Sequence, residues 1–218
     1  MSAPPRLWAV TPPVGEPAAA CVELWRGADV GVWLRTPGAS PRAIVERCAA
    51  LVQRASADGL PIVIGCDPTG LLDAAACARE AGLAGVVLRG DPDRTALLRA
   101  RELLGSDAWI ARSAHAVADD HVLCDWTVLG PVFAPHTAKP QGSTPLGTDV
   151  ITRAAAVGGA RIVAIGGVDH RTAAACLAAG AWGLAGIRSF FGARDEVHED
   201  VAVLHALLQT AKHGPTST

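Results

Sequence analysis

Charge of either sign is scarce in this 218-residue chain: 19 Lys and Arg stand against 21 Asp and Glu, a formal net charge of −2. That balance gives no general electrostatic reason to expect nucleic acid or an anionic membrane as partner. No uninterrupted apolar run approaches the roughly 20 residues of a membrane span. The Pro-rich start, Met1–Arg6, lacks an apolar secretion core. Cysteine is present but never in Cys-x-x-Cys spacing: Cys21, Cys48, Cys66, Cys77, Cys124 and Cys176 are scattered. They read as reduced thiols of a cytoplasmic protein, mostly filling the core. No linker or shift in composition interrupts the chain, so no domain boundary is expected.

What is there is apolar and periodic. Half of the residues are hydrophobic and only 18% charged, enough for a large core. Short apolar runs predict strands at Leu7–Thr11, Asp29–Arg35, Pro61–Gly65, Gly85–Leu88, Ala108–Ala111, Leu123–Leu129, Ile162–Ile165 and Trp182–Ile187. Helical patterns alternate with them: Ala18–Arg26, a long helix from Ser40-Pro41 to Ala57, Leu71–Ala81, Arg94–Leu104, a short weak one at Ala114–His121, Asp149–Val157, Arg171–Ala179 and Asp195–His213. Ser40 suits an N-cap and Pro41 a first turn. Alternation argues for a parallel sheet, and eight units argue for closure into a single (β/α)8 TIM barrel over residues 7–212. Residues 1–6 are expected to be a flexible lead-in and 213–218 a disordered tail.

The stretch Arg161–Phe191 organises the functional reading. Gly166-Gly167 follows one strand, and Gly186-Ile187-Arg188-Ser189 ends the next. Glycine after a strand lets backbone N–H groups approach an anion without Cβ hindrance. A following helix N-terminus adds unpaired donors. Two such turns on neighbouring strands make a phosphate cup at Gly166, Gly167, Ile187 and Arg188, after strands seven and eight of a barrel. A tight connection alone would equally account for the two glycines.

Chemistry in a barrel sits at the C-terminal strand ends. Polar residues that directly follow apolar runs there are Arg35, Cys66, Asp67, Asp91, Asp93, Arg112, Ser113 and His115. The loop Gly130–Pro140 is longer than the usual connection. It carries His136, Thr137 and Lys139, of which Thr137 and Lys139 suit a pyrophosphate. A solvated surface loop is the plain alternative.

The order Gly130-Pro131-Val132-Phe133, Thr137-x-Lys139, Pro145-Leu146-Gly147, Val163-Ala164-Ile165-Gly166-Gly167-Val168 and Ala179-Gly180-Ala181-x-Gly183-Leu184-Ala185, then Ser189-Phe190-Phe191-Gly192-Ala193, resembles the thiamine phosphate synthase / thiazole tautomerase family. Arg6–Thr11 is similar to that family's first strand, and Ala111-Arg112-Ser113-Ala114-His115 to its Gly-x-Ser-x-His segment. The resemblance implies an aminopyrimidine-methyl pyrophosphate that ionises with help from Mg²⁺ and is captured by a thiazole phosphate. It implies Lys139, Arg35 and Ser113 as catalytic, with Thr137 and His136 beside them. Gly166, Gly167, Ile187 and Arg188 would bind the thiazole phosphate, and Asp67, after a one-residue shift, with either Asp91 or Asp93 would supply the metal ligands. Small phosphorylated molecules would be the partners, with a homo-oligomer left open.

The first half departs from the pattern. The family's Gln-Leu-Arg-x-Lys reads Trp33-Leu34-Arg35-Thr36-Pro37, and its Asn-Asp after strand three reads Gly65-Cys66 followed by Asp67. The stretch after strand four, His-x-Gly-Gln-x-Asp in the family, reads Val87-Leu88-Arg89-Gly90-Asp91-Pro92-Asp93. A thiol is a poor ligand for a hard cation. Three readings follow: a working synthase, a metal-independent thiazole tautomerase-like enzyme relying on His136 or another base, and a silent barrel that binds a phosphorylated ligand.

Overall fold

The computed structural model describes residues 3–116, 121–134 and 144–211. Eight parallel strands close in sequence order: β1 (Leu7–Val10), β2 (Val30–Leu34), β3 (Ile62–Cys66), β4 (Gly85–Leu88), β5 (Trp109–Ala114), β6 (Trp126–Leu129), β7 (Ile162–Ile165) and β8 (Gly183–Gly186), with β8 pairing back onto β1. The strands are buried nearly throughout, the pattern of a sheet covered on one face by helices and filled on the other by its own side chains. The expected TIM barrel is therefore the observed fold.

Helices α1 (Pro41–Arg47), α2 (Ala49–Ala57), α3 (Leu71–Glu80), α4 (Arg94–Leu104), α5 (Asp149–Ala155), α6 (Ala173–Ala178), α7 (Arg188–Phe191) and α8 (Arg194–Thr210) surround it, and Ala19–Trp25 forms a 3₁₀ segment between β1 and β2. Ser40 caps α1 by accepting from the Ala43 amide, with Pro41 in the first turn. The single helix expected from Ser40 to Ala57 is interrupted at Cys48, whose φ and ψ of −99° and 12° leave the helical range. The short helix expected over Ala114–His121 is not what Ala114 joins: it is the last residue of β5, and a 3₁₀ turn spans His121–Leu123. The one-turn helix α7 is not expected from the sequence, because four residues carry no periodicity. The lead-in is anchored from Pro4 onward. Pro4 and Pro5 are buried. Arg6 donates from Nε to the Trp182 carbonyl at 2.7 Å and from Nη1 to the Leu208 carbonyl at 2.8 Å. The expected tail, 213–218, lies outside the described residues.

Strand parity sorts the core. Residues such as Ile62, Ile64 and Cys66 face the helices, while Trp8, Trp33, Val63, Val87, Trp109, Trp126 and Val163 fill the barrel. Trp8 and Trp126 stack with centroids 4.7 Å apart, and Trp109 meets both edge-on at 6.3 and 6.0 Å. Such pairs add about 0.5–1.5 kcal/mol each beyond their burial. Indoles this large fit only where the neighbouring strand yields space. Gly31 pairs with Trp8 across β1 and β2, and a Cβ at Gly31 would lie 2.6 Å from the Trp8 ring. Gly31→Ala is expected to cost about 1–3 kcal/mol by overpacking, measured as a lower urea midpoint with an unchanged slope. An unaltered midpoint would show that the indole plug can shift.

Candidate active site at the barrel mouth

The C-terminal strand ends form the mouth, and parity decides what enters it. Above Trp33 on the same inner face of β2 comes Arg35. Its main chain is held firmly: Thr11 Oγ1 accepts from the Arg35 amide at 2.7 Å and donates to the Arg35 carbonyl at 2.8 Å. Arg47 Nη2 adds a bond to the same carbonyl at 3.2 Å. The guanidinium itself has no hydrogen-bond or ion-pair partner among the described residues. Burial first, and the nearby Arg89 charge second, lower its pKa. A desolvated cation facing another cation is held at a cost unless an anion completes it.

On β3 the inward positions are Gly65 and Asp67, while Cys66 points outward. Cys66 is 2% exposed, packs in the helix-facing core, and has its pKa pushed up to about 12 by burial. It is an inert core thiol. Arg89, next after β4 on the inner face of Val87, crosses toward β3. Its Cδ lies 3.6 Å from the position of a Cβ on Gly65, and its Nη2 donates to Asp67 Oδ2 at 3.3 Å.

Asp91 sits in a left-handed backbone conformation, φ 52°. Its carboxylate accepts from the His115 amide at 2.7 Å and lies 2.7 Å from His115 Nδ1. Burial would raise the Asp91 pKa, but the His115 contacts outweigh it and hold the carboxyl below its ordinary value. An ionised carboxylate only accepts, so Nδ1 carries a proton and donates it to Asp91. Asp93 is the N-cap of α4, accepting from the Ala96 amide at 2.8 Å. Ser113 faces the interior at the end of β5, and its carbonyl accepts from the Asp91 amide at 3.3 Å.

The Mg²⁺ expected at Asp67, Asp91 and Asp93 does not fit this arrangement. Asp67 is paired with Arg89, Asp91 with His115, and Asp93 with a helix. No group of three or more His, Cys, Asp or Glu among the described residues is placed to hold a metal.

The turns after β7 and β8 do meet. Gly166 and Gly167 both have positive φ, 93° and 64°, and a Cβ on Gly167 would fall 2.7 Å from Phe133 Cβ. Glycine is required twice over there, by conformation and by contact. Ser189 Oγ donates to the Val168 carbonyl at 3.2 Å, tying one turn to the other. Among the described residues the amides of Gly167 and Ile187 have no main-chain acceptor. Ile187 packs beside the inner core, and Arg188 opens α7 without a side-chain partner among the described residues. His136, Thr137 and Lys139 lie outside the described residues. Arg89 and Trp33 belong to the mouth although the sequence did not single them out. The available signal was parity: Arg89 follows Val87 by two, and Trp33 precedes Arg35 by two.

A model of the TMP-TENI family, thiamine monophosphate synthase, matches residues 14–190. The chain belongs to the thiamine monophosphate synthase family. It is 31% identical over 172 residues to a thiamine-phosphate synthase of Psychrobacter sp. (strain PRwf-1), covering 75% of each chain. With the thiamine-phosphate synthase of Chloroflexus aurantiacus it shares 30% over 190 residues, 85% of this chain and 82% of the relative. The solved thiamine phosphate pyrophosphorylase of Pyrococcus furiosus has the same fold, with a TM-score of 0.73 at 19% identity over 96% of this chain and 98% of that one. As a thiamine phosphate synthase-like member, the chain falls among the transferases of thiamine biosynthesis. Synthases of this family use Mg²⁺. No helix among the described residues is long and apolar enough to cross a membrane.

The family's glycine turn depends here on Asp169. Its Oδ1 accepts from the Arg171 and Thr172 amides at 2.9 and 3.1 Å, and Thr172 Oγ1 donates to the Gly167 carbonyl at 2.9 Å. Burial alone would raise the Asp169 pKa, but these bonds and the Arg171 charge hold it at about 2. The folded value lies below the unfolded one, so the stabilisation is complete above about pH 4 and disappears as pH falls through about 2. Asp169→Asn should cost about 1–2 kcal/mol at neutral pH, and the deficit should vanish in unfolding measurements taken toward pH 2. A deficit independent of pH would mean the carboxylate charge plays no part.

Proposed function

We propose that this chain joins an aminopyrimidine-methyl pyrophosphate to a thiazole phosphate and releases pyrophosphate. The observation that carries the reading is Arg35, a half-buried guanidinium at the mouth with a rigid backbone and no protein counter-ion among the described residues. In the reaction the bond from the methylene carbon to the pyrophosphate oxygen breaks, and its electron pair leaves with the pyrophosphate. The thiazole nitrogen then donates its lone pair to the methylene carbon. Negative charge grows on the leaving group in the transition state, so a preorganised cation counts most at that moment. The Gly167 and Ile187–Arg188 turns, across the mouth, would hold the thiazole phosphate. Ser113 and Thr137 would hydrogen-bond the pyrophosphate, with His136 near it and Lys139 adding a second cation from its long loop.

A second reading, metal-independent proton transfer on a thiazole carboxylate phosphate, is favoured by the Asp91–His115 pair. Its Nε2 is available as a base. It predicts a proton shift on the thiazole ring rather than coupling. A binder without chemistry would do neither.

Incubation with both precursors should yield thiamine phosphate. Arg35→Ala and Lys139→Ala should each lower turnover by roughly 10²-fold or more, with binding of the thiazole phosphate little changed. Full activity in either variant would remove that residue from the mechanism. Absence of thiamine phosphate from the unchanged protein would reject the synthase reading.

A further inference from the structure

Two features of the β2–β3–β4 side of the mouth are not those of a metal site. Arg89 lies in the stretch where the resembled family reads His-x-Gly-Gln-x-Asp, and it is pulled inward, with its side chain 13% exposed. Its Nε is buried and has no hydrogen-bond partner among the described residues. Trp33, 2% exposed, stands where the family has an amide, and its indole N–H is likewise buried without a partner among them. Both groups lie against the same face of Gly65. A Cβ there would be 2.7 Å from Trp33 Nε1 and 3.6 Å from Arg89 Cδ. The absence of a side chain on Gly65 makes room for the indole, and the Arg89 stem packs over the same spot at ordinary contact distance. On the other side of β3, Arg35 faces the same opening. Two guanidiniums close enough for one charge to act on the other, and one indole N–H beside the Arg89 stem, therefore lie around this strand end. The single acid among them, Asp67, is 59% exposed. An exposed carboxylate held by one 3.3 Å bond is a weak partner that a more highly charged anion can displace. Guanidinium suits such an anion, because it is planar, always charged and able to grip two phosphate oxygens at once.

We infer that Arg89 and Arg35 form a metal-independent diphosphate clamp, in which Arg89 supplies the positive charge that Mg²⁺ supplies in related synthases. Trp33 Nε1 would add one directed hydrogen bond to a phosphate oxygen. Asp67 is then a gate on Arg89 rather than a metal ligand. Pairing with Asp67 stores the Arg89 side chain inside the mouth until a diphosphate takes it over. The inference rests on the reading that the mouth accepts a diphosphate ester, and it changes what neutralises that ester.

The test uses the whole chain and inorganic pyrophosphate, followed by calorimetry and by the indole fluorescence of the mouth. In EDTA the unchanged protein should bind pyrophosphate, and added Mg²⁺ should change the affinity less than about threefold, well inside one decade of Kd. Arg89→Gln should weaken binding about 10- to 100-fold, the range for losing a charged hydrogen-bond donor. Inorganic phosphate should bind at least about tenfold more weakly than pyrophosphate; equal affinities would overturn the diphosphate assignment. Asp67→Asn decides between clamp and metal site, because the two give opposite signs. Freed from its partner, Arg89 should bind pyrophosphate more tightly; a metal site would lose affinity, and only in the presence of Mg²⁺. Asp67 is exposed, so this variant keeps its fold, and circular dichroism checks the same for Arg89→Gln. Binding that requires Mg²⁺, or an Arg89→Gln variant with unchanged affinity, would overturn the clamp. The synthase reading is judged separately. Thiamine phosphate made only with Mg²⁺ would keep the function and reject the clamp. Arg89-dependent pyrophosphate binding in EDTA without any thiamine phosphate would do the reverse.

Discussion

Indole against glycine is the contact on which this barrel depends. An eight-stranded parallel barrel has an interior just wide enough for its own side chains, and here four tryptophans enter it. Two of them need room that an ordinary residue opposite would deny. Gly31 gives that room to Trp8 near the floor, and Gly65 gives it to Trp33 near the mouth. The floor becomes a stacked, edge-packed plug of Trp8, Trp109 and Trp126. With the floor closed and rigid, the open end is the part of the interior left for chemistry.

The electrostatics of the mouth are set by the side chains that the strand ends bring together. Arg89 crosses toward β3 to meet Asp67, and its charge acts on Arg35. Two like charges in a partly dry opening repel one another, and the fold holds them there by main-chain bonds to Arg35 and by the Asp67 contact to Arg89. An anion placed between them would relieve that repulsion. On the far side, the Gly166-Gly167 turn is locked by Asp169 and Thr172 and tied to α7 through Ser189. One side of the mouth offers formal positive charge and the other offers backbone donors.

Much of the architecture was legible in the residues. Gly85–Leu88, Ile162–Ile165 and Arg94–Leu104 have their expected bounds, and the other six strands appear within three residues of theirs at the N-terminal end. Local signals carry such elements: apolar runs for strands, Asp93 as a cap, Gly105 as a stop. Elements whose bounds depend on neighbours were less legible. Strand β5 runs on to Ala114 because its ladder with β6 continues through Ser113 and Ala114, which no local pattern shows. The break at Cys48 and the single turn of α7 are likewise imposed by packing.

By itself the sequence determined the alternation of eight strands and helices, the two glycine turns and the motif order that mark the family, because each is written in consecutive residues. Only the tertiary structure decided the site. Cys66, next to the candidate Asp67, turns to the helices while Gly65 and Asp67 turn to the mouth. Asp67 meets Arg89 at a separation of 22 residues, and Asp91 meets His115 at 24. Whether a carboxylate binds a metal, a guanidinium or an imidazole depends on which side chain the barrel's register brings opposite it. Register is a property of the closed sheet, since a shift of one residue would exchange every inward side chain for an outward one.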